Sequence, residues 1–172
     1  MKRIMLLLIM LSGWKFVHAQ QNFKFRSLNT VGLLIGSSER AGELHTVNGI
    51  TRNNWFAGIG LGWDNYRISS FPVYASFARE WRLVKNALFV GADGGANFSE
   101  YRPGWFARGG VGYKIGVGKT GSAVLFDIGH SFKQVIQPRK DVQPCVIGQC
   151  PENIDIYNYK LSRISLRMGL QF

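Results

Sequence analysis

The stretch LSRISLRMGLQF, Leu161 to Phe172, decides the fold. Ile164, Leu166, Met168, Leu170 and Phe172 fall at every second position, with Arg163, Ser165, Arg167, Gly169 and Gln171 between them. Successive side chains of a strand point to opposite sides, so a period of two describes a strand with one oily face and one polar face. A helical period of 3.6 would scatter both sets around the axis.

At the other end, Lys2 and Arg3 precede the apolar run Ile4 to Leu11, and Val17-His18-Ala19 supplies the small-residue pattern of a cleavage site before Gln20. These features predict a secretory signal peptide over residues 1–19. The apolar run is too short to cross a hydrocarbon core of about 30 Å as a helix. The expected mature chain, 20–172, has 172 less 19, or 153, residues, a single-domain length. Losing Lys2, Arg3 and Lys15 takes three from the net charge of +11 and leaves +8. In a cytosolic protein that excess would point to nucleic acid. An exported chain meets none, and its expected counter-charges are outer-membrane lipid headgroups and lipopolysaccharide phosphates.

Eight segments of the mature chain carry the same alternation: Thr30 to Gly36, Leu44 to Thr51, Trp55 to Asp64, Ser70 to Glu80, Ala87 to Phe98, Gly104 to Gly118, Ser122 to Lys133 and Tyr157 to Phe172. In the second, Glu43, His45 and Asn48 blur the pattern. Their usual length suits transmembrane strands of about 9–11 residues, and no run of eighteen apolar residues offers a transmembrane helix. The reading is all-β: an eight-stranded antiparallel up-and-down transmembrane β-barrel.

The apolar stripes carry indoles where a bilayer has its interfaces. Trp55 and Trp63 bracket Ala57, Ile59 and Leu61, while Trp105 and Tyr113 flank the Val111 stripe. The opposite faces hold glycines and charges, a filling suited to a barrel whose interior is only as wide as side chains. Asp93 and Asp127, with Glu80 and Asp64, are then available to Arg108, Lys114, Arg163 and Arg167. Asp127 with Arg163 or Arg167 is the favoured pair, because strands seven and eight are neighbours. A soluble barrel would turn the same pattern inside out, but the bulky stripes would overfill its centre.

The connections alternate in length. Short turns are expected near Arg52 to Asn54, Trp81 to Asn86 and Lys119 to Gly121. Outer loops are expected at Ser37 to Glu43, Asn65 to Ser69, Ser99 to Pro103 and Gln134 to Ile156, the asymmetry of a barrel with both termini in the periplasm. The fourth loop holds Pro138, Pro144 and Pro151, and also Cys145 and Cys150, which in an exported chain are expected to form one disulfide that stiffens the tip. Zinc would need about four ligands, and no histidine lies nearby in sequence.

The stretches GLLIG at Gly32 to Gly36, TVNG at Thr46 to Gly49 and WFAGIGLG at Trp55 to Gly62 resemble a set of short bacterial outer-membrane barrel proteins. More broadly the chain resembles the eight-stranded OmpX and OmpA barrels over essentially its whole mature length. The resemblance implies insertion by the barrel assembly machinery, with Phe172 and its strand as the sorting signal. It implies no catalytic site and no cofactor.

Function is expected to be structural or interactive, through the outer loops and a surface partner not specified by the sequence. The alternatives are a lipid A-modifying enzyme and a subunit of an envelope or secretion assembly. Against catalysis, His130 and Ser131 are neighbours in a strand and point to opposite faces, so they do not form a nucleophile and base. Against a solute pore, open channels use about 16–18 strands.

Overall fold

The computed structural model describes residues 23–37, 39–100, 102–117, 121–141 and 153–172. The expected signal peptide and the cysteines Cys145 and Cys150 lie outside them. Eight strands run in chain order: β1 (Lys24–Ile35), β2 (Arg40–Arg52), β3 (Trp55–Asp64), β4 (Ser70–Leu83), β5 (Asn86–Ser99), β6 (Gly104–Val117), β7 (Ser122–Asp141) and β8 (Asn153–Gln171). Each pairs antiparallel with the next, and β8 returns to β1 from Leu28↔Gln171 to Ile35↔Ile164, closing the barrel. Closure satisfies the backbone groups that an open sheet leaves at its edges. One end, here the terminal end, carries Lys24 and Phe172. The opposite, loop end carries the β1–β2, β3–β4, β5–β6 and β7–β8 connections.

At the terminal end the strands run into tight turns. Arg52 pairs with Trp55 across Asn53 and Asn54, whose φ angles of 48° and 68° are those of the mirror-image hairpin turn that asparagine tolerates. Leu83 pairs with Asn86, which confines that turn to Val84 and Lys85.

Most bounds shift from the sequence expectation by up to three residues, β4 for instance ending at Leu83 rather than Glu80, and the larger departures lie in three places. β1 begins at Lys24, because Ser27 and Asn29 on its outward face interrupt the oily stripe without interrupting the pairing. β2 begins at Arg40: Glu43 and His45 do not break its alternation but occupy its inward face. The fourth outer loop is largely ribbon, since β7 and β8 stay paired from Gln134↔Lys160 to Asp141↔Asn153.

The sidedness is the reverse of a soluble barrel. Ile59 is 70% exposed on the outside, while Lys133 and Arg163 are 0% and 2% exposed within. The inside holds a small apolar layer of Val47, Phe56, Tyr74 and Phe106.

Candidate functional site

The interior of the barrel gathers most of the chain's buried charge, and the register explains how. One transverse row of inward positions reads Asp127, Arg167, Gly32, Glu43 and Asp64 across β7, β8, β1, β2 and β3. Gly32 is the gap in that row. A Cβ there would stand 2.8 Å from Arg167 Cγ and 2.9 Å from Glu43 Oε1. Through this opening Arg167 donates from Nε to Glu43 Oε1 at 3.0 Å and from Nη2 to Oε2 at 2.8 Å. Such a two-bond fork is the strongest form of the pair.

The Glu43–Arg167 pair is the hub of a middle layer. Ser165 Oγ donates to Glu43 Oε1 at 2.5 Å and accepts from Arg108 Nε at 3.1 Å. Arg108 also bonds Asp127 and lies 3.8 Å from Asp93, which is equally distant from Arg167. His45 Nε2 stands 3.0 Å from both Glu43 Oε2 and Arg167 Nη2, and its Nδ1 is 2.9 Å from the Tyr74 hydroxyl. Glycine makes room here too: a Cβ on Gly62 would fall 2.3 Å from His45 Nδ1.

Two further layers bracket the hub. Toward the loop end, Lys133 bonds Asp64, Ser70 Oγ at 2.8 Å and the Ile68 carbonyl at 2.9 Å, and Arg163 donates to Ser131 Oγ at 3.0 Å. Tyr66 from the β3–β4 connection is buried, with the Arg163 guanidinium 5.3 Å from its ring centre. Toward the terminal end, Glu80 accepts from Arg26 at 2.7 and 2.9 Å and from Lys114, which also donates to Gln171 Oε1 at 2.8 Å.

The interior candidates Asp93, Arg108, Lys114, Asp127, Arg163 and Arg167 therefore all face inward, in partnerships that differ from the favoured pair. Asp127 sits opposite Arg167 in register, but the Arg167 fork is taken by Glu43 and Asp127 is bonded by Arg108. Arg163 turns to Asp64 and Ser131. Glu43, His45, Arg26 and Lys133 were missed as members. Their signal was parity: each falls on the inward register of its strand.

The outward candidates ring the barrel. Trp55 and Trp63 stand at the two ends of β3, and Trp63 donates its indole N–H to Ser69 Oγ at 2.9 Å. Trp105 is 72% exposed near the loop end, and Tyr113 accepts from Asn86 Nδ2 at 2.7 Å near the terminal end. Phe172 extends β8, exchanging both backbone hydrogen bonds with Ser27 at 3.0 Å. His130 is exposed and Ser131 is 1% exposed, so the two point apart. His130 instead meets Ser162 across the β7–β8 pair, Nε2 to Oγ 2.7 Å, on the outside.

No protein-family model and no curated protein matches the chain. Among solved structures it is similar to Neisserial surface protein A. The two share 12% sequence identity, with a TM-score of 0.59 over 87% of this chain and 95% of that one. The likeness is one of fold: both are built on the same closed barrel. Among the described residues, no helix is long and apolar enough to cross a membrane, and no group of His, Cys, Asp or Glu is arranged to hold a metal ion.

Proposed function

We propose that this chain is an integral outer-membrane barrel whose charge-filled interior serves as a rigid post and whose loop end, above all the β7–β8 ribbon, engages a partner at the cell surface. Support for the membrane comes from the outside of the wall, where Ile59, Leu61, Val111, Ile128, Leu166 and Met168 are all exposed. In water such a continuous oily belt would drive aggregation; against acyl chains it is the matching surface. The interior layers speak for a closed lumen rather than a channel, since long side chains from opposite walls meet across it.

The observation that carries the surface role is where the oily belt thins. On β7 and β8 it thins above Ile128 and Ile164, where His130, Ser162, Lys160, Gln134 and Asn158 share the outward side with Phe132, Ile136 and Ile156. Yet the two strands stay paired as far as Asp141↔Asn153, about 24 Å of ribbon beyond Gln134↔Lys160 at ~3.4 Å per residue. β1 ends at Ile35 opposite Ile164, so among the described residues β8 from Asn158 to Arg163 has no strand beside it on that edge. A paired ribbon of mixed polarity that runs on past the thinning belt with one edge open is suited to adding a partner's strand.

Ile136 and Asn158 are register partners, which makes the test direct. Replacing 137–157 by Asn-Gly joins them through a two-residue hairpin. The shortened protein is expected to insert and to keep the gel-mobility difference between boiled and unboiled samples, while losing surface adhesion and in-cell crosslinks. Unchanged adhesion and crosslinks would remove the role. A lipid A-modifying enzyme is the second reading, favoured by the outward His130–Ser162 contact alone. Its test is the lipid A mass spectrum of cells carrying Ser162→Ala, where a spectrum identical to wild type ends the idea.

A further inference from the structure

A second charged feature lies outside the barrel, and the interior network does not use it. At the terminal end the register aligns Arg52 on β2, Trp55 on β3 and Arg79 on β4 in one outward row. The Arg52 guanidinium lies 5.1 Å from the Phe23 ring centre. The Arg79 guanidinium lies 5.1 Å from the Trp55 ring and 5.5 Å from the Trp81 ring, so it is held between two indoles. All five side chains are exposed.

Neither guanidinium makes a hydrogen bond or an ion pair among the described residues, and the same holds for the indole N–H groups of Trp55 and Trp81. Stacking engages the faces of a guanidinium and leaves its five edge N–H donors open. The acids stand elsewhere. Among the described residues, Glu43, Asp64, Glu80, Asp93 and Asp127 point inward, Glu39 and Glu100 stand at the loop end, and Asp141 and Asp155 are in the ribbon. Lys24, Arg82 and Lys85 add further positive charge at the terminal end. The row thus presents ordered cations and amphipathic rings, with no acidic side chain of the described residues beside them, at the height where the wall leaves the oily belt.

We propose that Arg52 and Arg79, set in this aromatic row, bind the phosphodiester headgroup of an anionic phospholipid from the leaflet that faces the termini. The forks of the two arginines match phosphate oxygens, and the indoles occupy the depth of the glycerol and ester groups. The acyl chains then lie along the adjacent outward residues Phe77, Val90 and Leu88. This inference rests on the membrane reading above, and it accounts for part of the chain's basic excess.

The experiment uses the full mature chain refolded into nanodiscs containing phosphatidylglycerol and phosphatidylcholine at equal mole fraction, followed by native mass spectrometry of the retained lipid. Wild type is expected to retain phosphatidylglycerol preferentially. Arg52→Gln and Arg79→Gln each lower that preference about fivefold, and the double variant lowers it about thirtyfold. Arg40→Gln removes the same charge at the loop end and leaves the preference intact. Trp55→Leu with Trp81→Leu keeps both cations and still weakens retention. Excess inorganic phosphate does not displace the lipid, because the chains hold it as well. Equal retention of the two lipids by wild type, an unchanged double variant, or displacement by phosphate alone overturns the proposal. Failure of wild type to enter discs of any composition would instead overturn the membrane reading; insertion without lipid preference overturns only this one.

Discussion

Strands β7 and β8 pass through two settings, and the contrast separates what makes a wall from what makes a surface. Between Ala123↔Gln171 and His130↔Ile164 each strand is flanked on both edges, with oily side chains outside and the charges of the middle layer inside. Farther up, both sides become mixed, with Ile136 and Ile156 outside beside polar residues. Val135 is fully buried on the inward side, Tyr157 and Tyr159 stack with ring centres 6.3 Å apart, and Gln134 donates to Asn158 at 3.0 Å outside. The same ladder of backbone hydrogen bonds serves both. Side-chain polarity and the presence of a neighbouring strand make the difference.

The largest effect is expected within the wall. Arg167→Ala leaves Glu43 buried without its fork and should lower the unfolding free energy by about 3–5 kcal/mol, measured by urea titration in lipid vesicles. Leu166→Arg, on the outside of the same stretch, should cost about 2–4 kcal/mol at mid-bilayer depth. Its counterpart in the ribbon, Asn158→Arg, should stay within about 0.5 kcal/mol. Equal costs at the two positions would erase the contrast and with it the membrane reading.

Gly32→Ala is expected to cost about 1–3 kcal/mol, because the added Cβ would meet the Leu166 carbonyl oxygen at 2.5 Å as well as the Arg167 stem. Removing the ribbon itself is also expected to have a small effect. Exchanging 137–157 for a two-residue turn should change the unfolding free energy by less than about 1 kcal/mol, since shortening a connection alters closure entropy only slowly. A larger loss would mean that the ribbon is part of the wall after all.

Strand identity was legible because outward faces repeat with period two. β3 matches its expected bounds, Trp55 to Asp64, since its oily stripe is unbroken from indole to indole and short turn segments close both ends. Legibility failed where one face lost its pattern. Ser27 and Asn29 hid the start of β1, and Pro138 led the upper part of β7 to be read as loop, although β7 stays paired with β8 through Pro138↔Ile156. The ion pairs were the least legible. Glu43 and Arg167 stand 124 residues apart in sequence, and their meeting depends on barrel closure and on the space above Gly32. Adjacent strands suggested Asp127 for Arg167, but two long arginines in a narrow lumen reach past their register partners.

The seam between β1 and β8 sets the order in which such a wall can be completed. Every other pairing joins consecutive strands and needs only a local hairpin, whereas Leu28↔Gln171 brings together the first and last strands of the sheet. Until the final strand is in place, the curling sheet carries two sticky margins and an unmatched Glu43, whose arginine arrives only with β8. Sealing and neutralisation therefore come as one event, late in assembly, and a chain held short of it is exposed to mispairing with its neighbours.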